Sequence, residues 1–181
     1  MKQLKISINS NDHIYGNPNA TLELVEYGDY ECPYCGRAYP IVKDIKLKLD
    51  GDLKFVFRNF PLSKIHPHAV MAAVATEAAG SQGKFWEMHD IVFENQKSLD
   101  KENIIHFAGL IGLDVDRFKL DIQDKILSEK VEKDFEGGLR SGVNRTPTFF
   151  INGEKFEGDW SDGELLDFLR SQLAGISVNE E

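Results

Sequence analysis

The chain has 181 residues and a formal net charge of −9, from 21 basic and 30 acidic side chains. Hydrophobic residues make up 41% of it, which is enough for a buried core and excludes general disorder. No apolar run reaches the roughly 18 to 20 residues of a membrane span, so we expect no membrane insertion. An acidic chain repels phosphate backbones, and the charge therefore counts against nucleic-acid binding.

Residues 1–18 are polar and predict an arm that leads into the fold, with a turn at Gly16-Asn17-Pro18. They lack the apolar stretch of about 7 to 15 residues that a secretory signal contains. From the chain as written we therefore expect a cytoplasmic protein. A leader removed before residue 1 would instead make the protein periplasmic or exported.

After the arm, the pattern predicts a β-α-β unit. Leu22–Tyr27 has the composition of a strand and is followed by Gly28, and Leu53–Phe57 indicates a second, mostly buried strand. Between them, apolar residues recur at the spacing of an amphipathic helix, namely Tyr39, Val42, Ile45 and Leu49. Pro33 stands in the first turn of that helix, where proline is favoured.

The middle of the chain has a helical pattern throughout. The alanine-rich run Ala69–Ala79 strongly favours a helix that ends at Gly80. The helical pattern continues over residues 85–93, 102–110, 116–120 and 126–139. This stretch is too long for a crossover between two strands, so we predict an inserted all-helical subdomain over residues 61–142.

The last part of the chain returns to strands. Thr148–Ile151, an Asn-Gly turn and Glu154–Glu157 together predict a β-hairpin. Ser161 and Glu164 have the spacing of a capping box. They predict the start of a final helix, which we expect to end at Gly175.

The only two cysteines, Cys32 and Cys35, lie at the junction between the first strand and its helix. They are too few for a disulfide scaffold or a four-cysteine zinc site. In the first turn of a helix, free N–H groups and the helix dipole stabilise a thiolate, which is the reactive form. We therefore predict Cys32 as a nucleophile of lowered pKa and Cys35 as a shielded, resolving thiol. Two inert thiols or half of a metal site are the alternatives, which the preceding strand and Pro33 disfavour.

Four segments carry further motifs in a fixed order: DHIYGNPNATLELVEYGDYECPYC, FRNFPLSKIHPHA, GKFWEMHDIVF and RTPTFFINGEKFEG. Together they resemble the DsbA-like thiol-disulfide oxidoreductases of the thioredoxin superfamily over roughly residues 12–174. The resemblance implies an α/β, thioredoxin-like fold with an all-helical insertion. The thioredoxin-like domain would comprise residues 19–60 and 143–175. No bound cofactor is expected, because the cysteine pair itself carries the electrons.

The resemblance also implies roles for residues around the cysteines. Pro147 would be a cis-proline that presents the backbone of Thr146 to a bound substrate strand. Glu26 would be a buried acid that accepts the proton of Cys35. Taken alone, Pro147 indicates only a break between helix and strand, and an exposed strand residue is the alternative for Glu26.

Pro33 and Tyr34, between the cysteines, are expected to contact substrate and to set the redox potential. The pair differs from the Pro-His of DsbA, and loss of an imidazole donor should leave the Cys32 thiolate less stabilised. Because Pro-Tyr also occurs in glutaredoxins and in isomerase-type relatives, it leaves the direction of electron flow open.

The predicted partners are protein thiols and disulfides, together with a redox partner that recycles the pair, and we expect a monomer. One alternative is a glutathione-dependent, glutaredoxin-like reductase, with Arg37 and Arg145 as its basic residues. Another is a redox-switched chaperone or binding module. His66 and His68 flank a proline without a third ligand nearby in sequence, so we predict no metal site.

Overall fold

In residues 2–178, the part of the chain that the computed structural model describes, strands and helices follow each other largely in the predicted order. The strands are β1 (Ile14–Gly16), β2 (Leu22–Gly28), β3 (Leu53–Asn59), β4 (Thr148–Ile151) and β5 (Glu154–Lys155). The helices are α1 (Pro33–Lys48), α2 (Ala69–Gly80), α3 (Phe85–Glu94), α4 (Lys101–Leu110), α5 (Val115–Asp121), α6 (Lys125–Arg140) and α7 (Glu164–Val178).

The strands form one mixed sheet in the order β1-β3-β2-β4-β5. At its centre, β2 is parallel to β3 and antiparallel to β4. With a strand on each side, β2 is buried from Leu24 to Gly28. A strand buried on both faces is expected to be a nearly continuous apolar run, and Glu26 in its middle is an exception. The mixed sheet and its helices confirm the predicted α/β class.

The side chains of β2 divide the core into two clusters, because successive residues of a strand point to opposite faces. Leu22 and Leu24 belong to the larger cluster, which includes Val42 of α1. Val25 and Tyr27 belong to the smaller cluster on the other face. Helix α1, which carries the cysteines at its start, therefore packs on the larger cluster.

Helices α2 to α6 lie between β3 and β4, within the region predicted as an inserted subdomain. Helix α2 is buried along most of its length, and Ala72, Ala75 and Ala78 have no exposed surface. Their small side chains allow α2 to pack closely against α3 and α6. Among the described residues, no helix is both long and apolar enough to cross a bilayer.

The N-terminal arm is part of the sheet, which the sequence did not predict. Ile14–Gly16 pairs antiparallel with β3 as an edge strand. The guanidinium of Arg58, on β3, binds both carboxylate oxygens of Asp12 at 2.8 and 2.9 Å. It also donates hydrogen bonds to the carbonyl oxygens of Ile6 and Ser7. A buried ion pair thus fastens the arm to the sheet.

The predicted capping box at the start of the last helix is wrong. The Ser161 hydroxyl donates to Asp159 Oδ1 at 2.6 Å, and Glu164 Oε2 accepts from the backbone N–H of Asp159 at 2.9 Å. Gly163 has a φ of 87°, a left-handed conformation outside the helical region, so α7 begins one residue later. Helix α7 also continues past Gly175, the predicted end.

Replacing Asp12 by Asn should lower the free energy of unfolding by about 3 kcal/mol, because Arg58 would keep a buried charge without its counter-charge. Urea unfolding followed by circular dichroism measures this change. As a control, Glu136→Gln removes the exposed partner of Arg140 and should cost less than about 1 kcal/mol. Similar effects of the two substitutions would contradict the anchoring of the arm.

Candidate active site

The two cysteines lie at the start of α1, directly after the central strand, as predicted. Cys32 is the N-cap residue of α1 and has extended dihedral angles, with φ −71° and ψ 122°. Pro33 occupies the first turn. Both cysteines are free thiols, so the structure represents the reduced form of the pair.

Asp29 organises the turn between β2 and α1. Its Oδ1 accepts a hydrogen bond from the backbone N–H of Glu31, and its Oδ2 accepts one from the backbone N–H of Leu62, both at 2.8 Å. His66 Nδ1 lies 2.8 Å from the same Oδ2, while the backbone N–H of His68 donates to the carboxylate of Glu31. The two histidines considered as metal ligands therefore hold the loop after β3 against the active-site turn.

Cys32 is the more acidic of the two thiols. A hydrogen bond from Cys35 lowers its pKa to about 5, with further contributions from the Thr146 side chain and from the backbone N–H groups of Tyr34 and Cys35. Burial opposes this change, because it disfavours the charged form. At neutral pH Cys32 is therefore a thiolate, as a nucleophile requires.

Cys35 lies one turn deeper and has the opposite character. Its side chain has no exposed surface, and burial raises its pKa well above the usual value. Its hydrogen bond to Cys32 and the charge of Glu26 raise the pKa further. The backbone N–H of Asp29 donates to Cys35 Sγ at 3.4 Å. One helical turn thus separates a thiolate from a thiol that keeps its proton. The predicted roles of nucleophile and resolving thiol require this difference in pKa.

Glu26 lies on the central strand and is 3% exposed, so the alternative of an exposed strand residue is wrong. Its strand neighbours are Phe57 and Phe149. Burial raises the pKa of Glu26 to about 8; the positive charge of Lys46 opposes this and the negative charge of Cys32 adds to it. A carboxyl group with this pKa can bind or release a proton near neutral pH, which suits the predicted exchange with the buried thiol.

Lys46 of α1 is a second buried ionisable group behind the cysteines, and the sequence did not single it out. It is 6% exposed, and its ammonium group lies 4.1 Å from the ring centroid of Tyr15 and 5.0 Å from that of Trp86. Burial lowers the pKa of Lys46, while the charges of Asp90 and Glu26 raise it. The aromatic rings stabilise the cation through their electron-rich faces. Lys46 thus supplies a positive charge near the buried acid.

The loop before β4 faces the reactive sulfur. The Thr146–Pro147 peptide bond is cis, as the resemblance implies. Cys32 Sγ lies 3.6 Å from the carbonyl oxygen of Thr146, to which the thiol donates a hydrogen bond in its protonated form. The buried Thr146 hydroxyl has no other hydrogen-bond partner among the described residues, which leaves it free to stabilise the Cys32 thiolate, whose pKa it lowers.

Three of the four predicted substrate-binding residues meet in one pocket. Tyr34, Thr146 and Pro147 line a cavity of about 560 Å³. The fourth, Pro33, is not among the residues that line it. Tyr34 is 56% exposed, and the guanidinium carbon of Arg37 lies 4.6 Å from the centre of its ring. The pocket therefore adjoins the loop that contacts Cys32.

Gln96, in the loop after α3, contacts the active-site turn and was not predicted. Its side-chain amide donates to the carbonyl oxygens of Tyr30 and Cys32 at 2.7 and 3.0 Å. A Cβ atom on Gly36 would collide with the Gln96 amide, so the small residue after Cys35 makes room for this contact. The helical region therefore reaches back to brace the residue that carries the nucleophile.

Comparison with known proteins agrees with this fold. The model of a family described as Thioredoxin matches residues 8–170. The chain belongs to this thioredoxin family. A thioredoxin-like oxidoreductase from Silicibacter pomeroyi superimposes with a TM-score of 0.81 at 24% identity, covering 92% of this chain and 94% of that one. Alpha-DsbA1 from Wolbachia pipientis gives 0.79 at 23% identity, covering 96% of each chain. The DsbA-like, thioredoxin-like fold is thereby confirmed.

A curated relative named as the Na(+)/H(+) antiporter NhaA 1 of Salinispora arenicola is 40% identical over 167 residues. The match covers 92% of this thioredoxin-family chain but 26% of the relative. The chain thus spans about a quarter of the length of the curated relatives it matches. The antiporter name describes that whole protein, most of which lies outside the match.

Replacing Gln96 by Ala should raise the pKa of Cys32 from about 5 by roughly half a unit to one unit. The physical reason is that the carbonyl oxygens beside the thiolate would lose their donor. Ultraviolet absorbance of the thiolate against pH measures the change. Gln123→Ala removes a similar amide that donates to the Lys119 carbonyl in the helical region, and it should leave the pKa unchanged. If the pH midpoint of the Cys32 titration were unchanged in both variants, Gln96 would contribute only to packing.

Replacing Glu26 by Gln should remove a pH dependence of stability. In the folded protein Glu26 keeps its proton up to about pH 8, whereas its ordinary pKa is 4.5. The wild type therefore loses stability as pH rises between these values, by about 1.4 kcal/mol for each unit of the difference. Urea unfolding from pH 4 to 9 should show that the free energy of unfolding of the variant, relative to that of the wild type, increases with pH over that window. A constant difference between them would contradict the raised pKa.

Proposed function

We propose that this chain is a thiol-disulfide oxidoreductase that exchanges disulfides with protein substrates through Cys32 and Cys35. The observation that carries the proposal is the inequality of the two thiols, one with its pKa lowered to about 5 and the other with a raised pKa. Inert structural thiols have no need of such a difference. The membership of the thioredoxin family and the oxidoreductase fold support the same conclusion.

In the oxidising direction, a client thiolate attacks Sγ of Cys32 in the Cys32–Cys35 disulfide. The bond between the two sulfurs breaks, a mixed disulfide forms, and Cys35 leaves and takes up a proton, for which Glu26 is the neighbouring donor. A second client thiolate then attacks the client sulfur of the mixed disulfide, and Cys32 leaves as a thiolate. The client loses two electrons and two protons, and the cysteine pair gains the two electrons.

We infer that the chain donates disulfides rather than reducing them. A thiol of low pKa is the better leaving group, and stabilising the Cys32 thiolate stabilises the reduced pair. Donation requires an oxidising compartment, because cytosolic thiols are kept reduced. The exported alternative for its location therefore fits this direction better than the cytoplasmic one.

Glutathione-dependent reduction is the second candidate, and one observation favours it. Arg37 and Arg145 both line the pocket beside Thr146, so the pocket offers two basic side chains to the carboxylates of glutathione. Replacing a protein client by glutathione in the assay below separates the two functions.

The test is a single-turnover assay in which the oxidised protein is mixed with a reduced, unfolded client. One disulfide should be transferred per molecule of wild type, as measured by acid quenching and mass spectrometry. Cys32→Ser should abolish transfer. Cys35→Ser, loaded on Cys32 with a small thiol as a mixed disulfide, should exchange that thiol for a client, and a client with a single thiol should stay attached because neither Cys35 nor a second client thiolate can attack the mixed disulfide. Full activity of Cys32→Ser would refute the enzymatic role.

A further inference from the structure

The pocket next to the cis-proline loop has features that the exchange reaction alone does not require. Its volume is about 560 Å³, and it extends from Tyr34 on α1 past Pro147 to Phe156 and Trp160, beyond the hairpin. The lining combines Tyr34, next to the reactive cysteine in sequence, with the aromatic side chains of Phe156 and Trp160, and the volume has room for several residues of an extended peptide. A client segment that reaches Cys32 would therefore pass through this pocket.

The charge of the pocket is opposite to that of the protein. Its lining contains Arg37, Arg145 and Lys155 but a single carboxylate, Asp159. Lys155 is paired with Glu157 at 3.2 Å. With Glu157 counted, three basic side chains stand against two carboxylates, which leaves an excess of one positive charge at the pocket, within a chain whose net charge is −9.

The two arginines differ from most others in the chain. Arg58, Arg117 and Arg140 each pair with a carboxylate. In the described residues, by contrast, the guanidinium groups of Arg37 and Arg145 have neither an ion-pair partner nor a hydrogen-bond acceptor. Stacking on Tyr34 at 4.6 Å holds Arg37 at the pocket while leaving its donors free. A guanidinium group with free donors is suited to bind a carboxylate with two hydrogen bonds.

We propose that this pocket selects client segments that carry an acidic side chain close to the reacting cysteine, with Arg37 and Arg145 as the specificity-determining residues. Phe156 and Trp160 would contact apolar side chains of the same segment. The proposal rests on the proposed function and names its substrate class. Glutathione carries the same carboxylate chemistry, and the experiment therefore includes it as a separate arm.

The experiment uses reduced two-cysteine peptides of equal length with Glu, Gln or Lys next to the first cysteine. Each is mixed with the oxidised 181-residue chain in a single turnover. Because a neighbouring charge changes the reactivity of the thiol itself, each rate is divided by the rate of the same peptide with a small neutral disulfide. We expect the Glu peptide to react roughly three- to tenfold faster than the Gln peptide, and the Lys peptide to be the slowest. The difference should shrink as salt is added.

The double variant Arg37→Gln/Arg145→Gln should bring the Glu-to-Gln rate ratio close to one. Comparing the ratio within each variant removes any change in the reactivity of Cys32. The matched control is Arg170→Gln, an exposed arginine of α7 that does not line the pocket, and it should keep the wild-type ratio.

A normalised Glu-to-Gln rate ratio near one in the wild type would overturn the proposal. So would a preference for the Glu peptide that remains in the double variant. Neither result would affect the exchange activity itself. A double variant that slows reaction with glutathione but leaves the peptide ratio intact would overturn the assignment to peptides. If no peptide were oxidised at all, the proposed function itself would fail.

Discussion

The structure depends on one constraint, which is that a single helical turn must hold two sulfur atoms in unlike surroundings. Cys32, at the N-terminus of α1, is stabilised as a thiolate by the Cys35 thiol and by free backbone N–H groups. Cys35 is buried and keeps its proton. Because burial alone would affect both alike, the difference arises from the position of each along the first turn. The central position of β2, which ends just before this turn, places Glu26 behind the pair.

Segments far apart in sequence maintain this difference between the pKa values of Cys32 and Cys35. The loop before β4 contributes Thr146, and the loop after α3 contributes the amide of Gln96. Behind the pair, an aromatic cage holds Lys46, with Tyr15 from β1 and Trp86 from α3. The arm and the helical region therefore belong to the electrostatic environment of the cysteines and do not merely cover the sheet.

The features predicted from the sequence are those that depend on local pattern. The strand-helix junction at the cysteines, the alanine-rich helix and the Asn-Gly turn all follow from neighbouring residues. β1 was missed because three residues give too short a pattern. Gln96 and Lys46 carry no motif and resemble ordinary solvent-facing residues, since their roles exist only after distant segments have packed. The burial of Glu26 was expected only through the resemblance, and the capping box failed because Asp159 competes for the same partners.

The most direct test of the inequality is the order in which the reduced thiols are alkylated. The native protein is treated briefly with iodoacetamide at about pH 6. This pH lies above the pKa of Cys32 and below the pKa of an ordinary thiol, which is near 8.5. Tandem mass spectrometry of the peptide that contains both cysteines then locates the label. We expect the label on Cys32, with Cys35 unmodified. Equal labelling of the two cysteines, or labelling of Cys35 first, would contradict the difference between their pKa values.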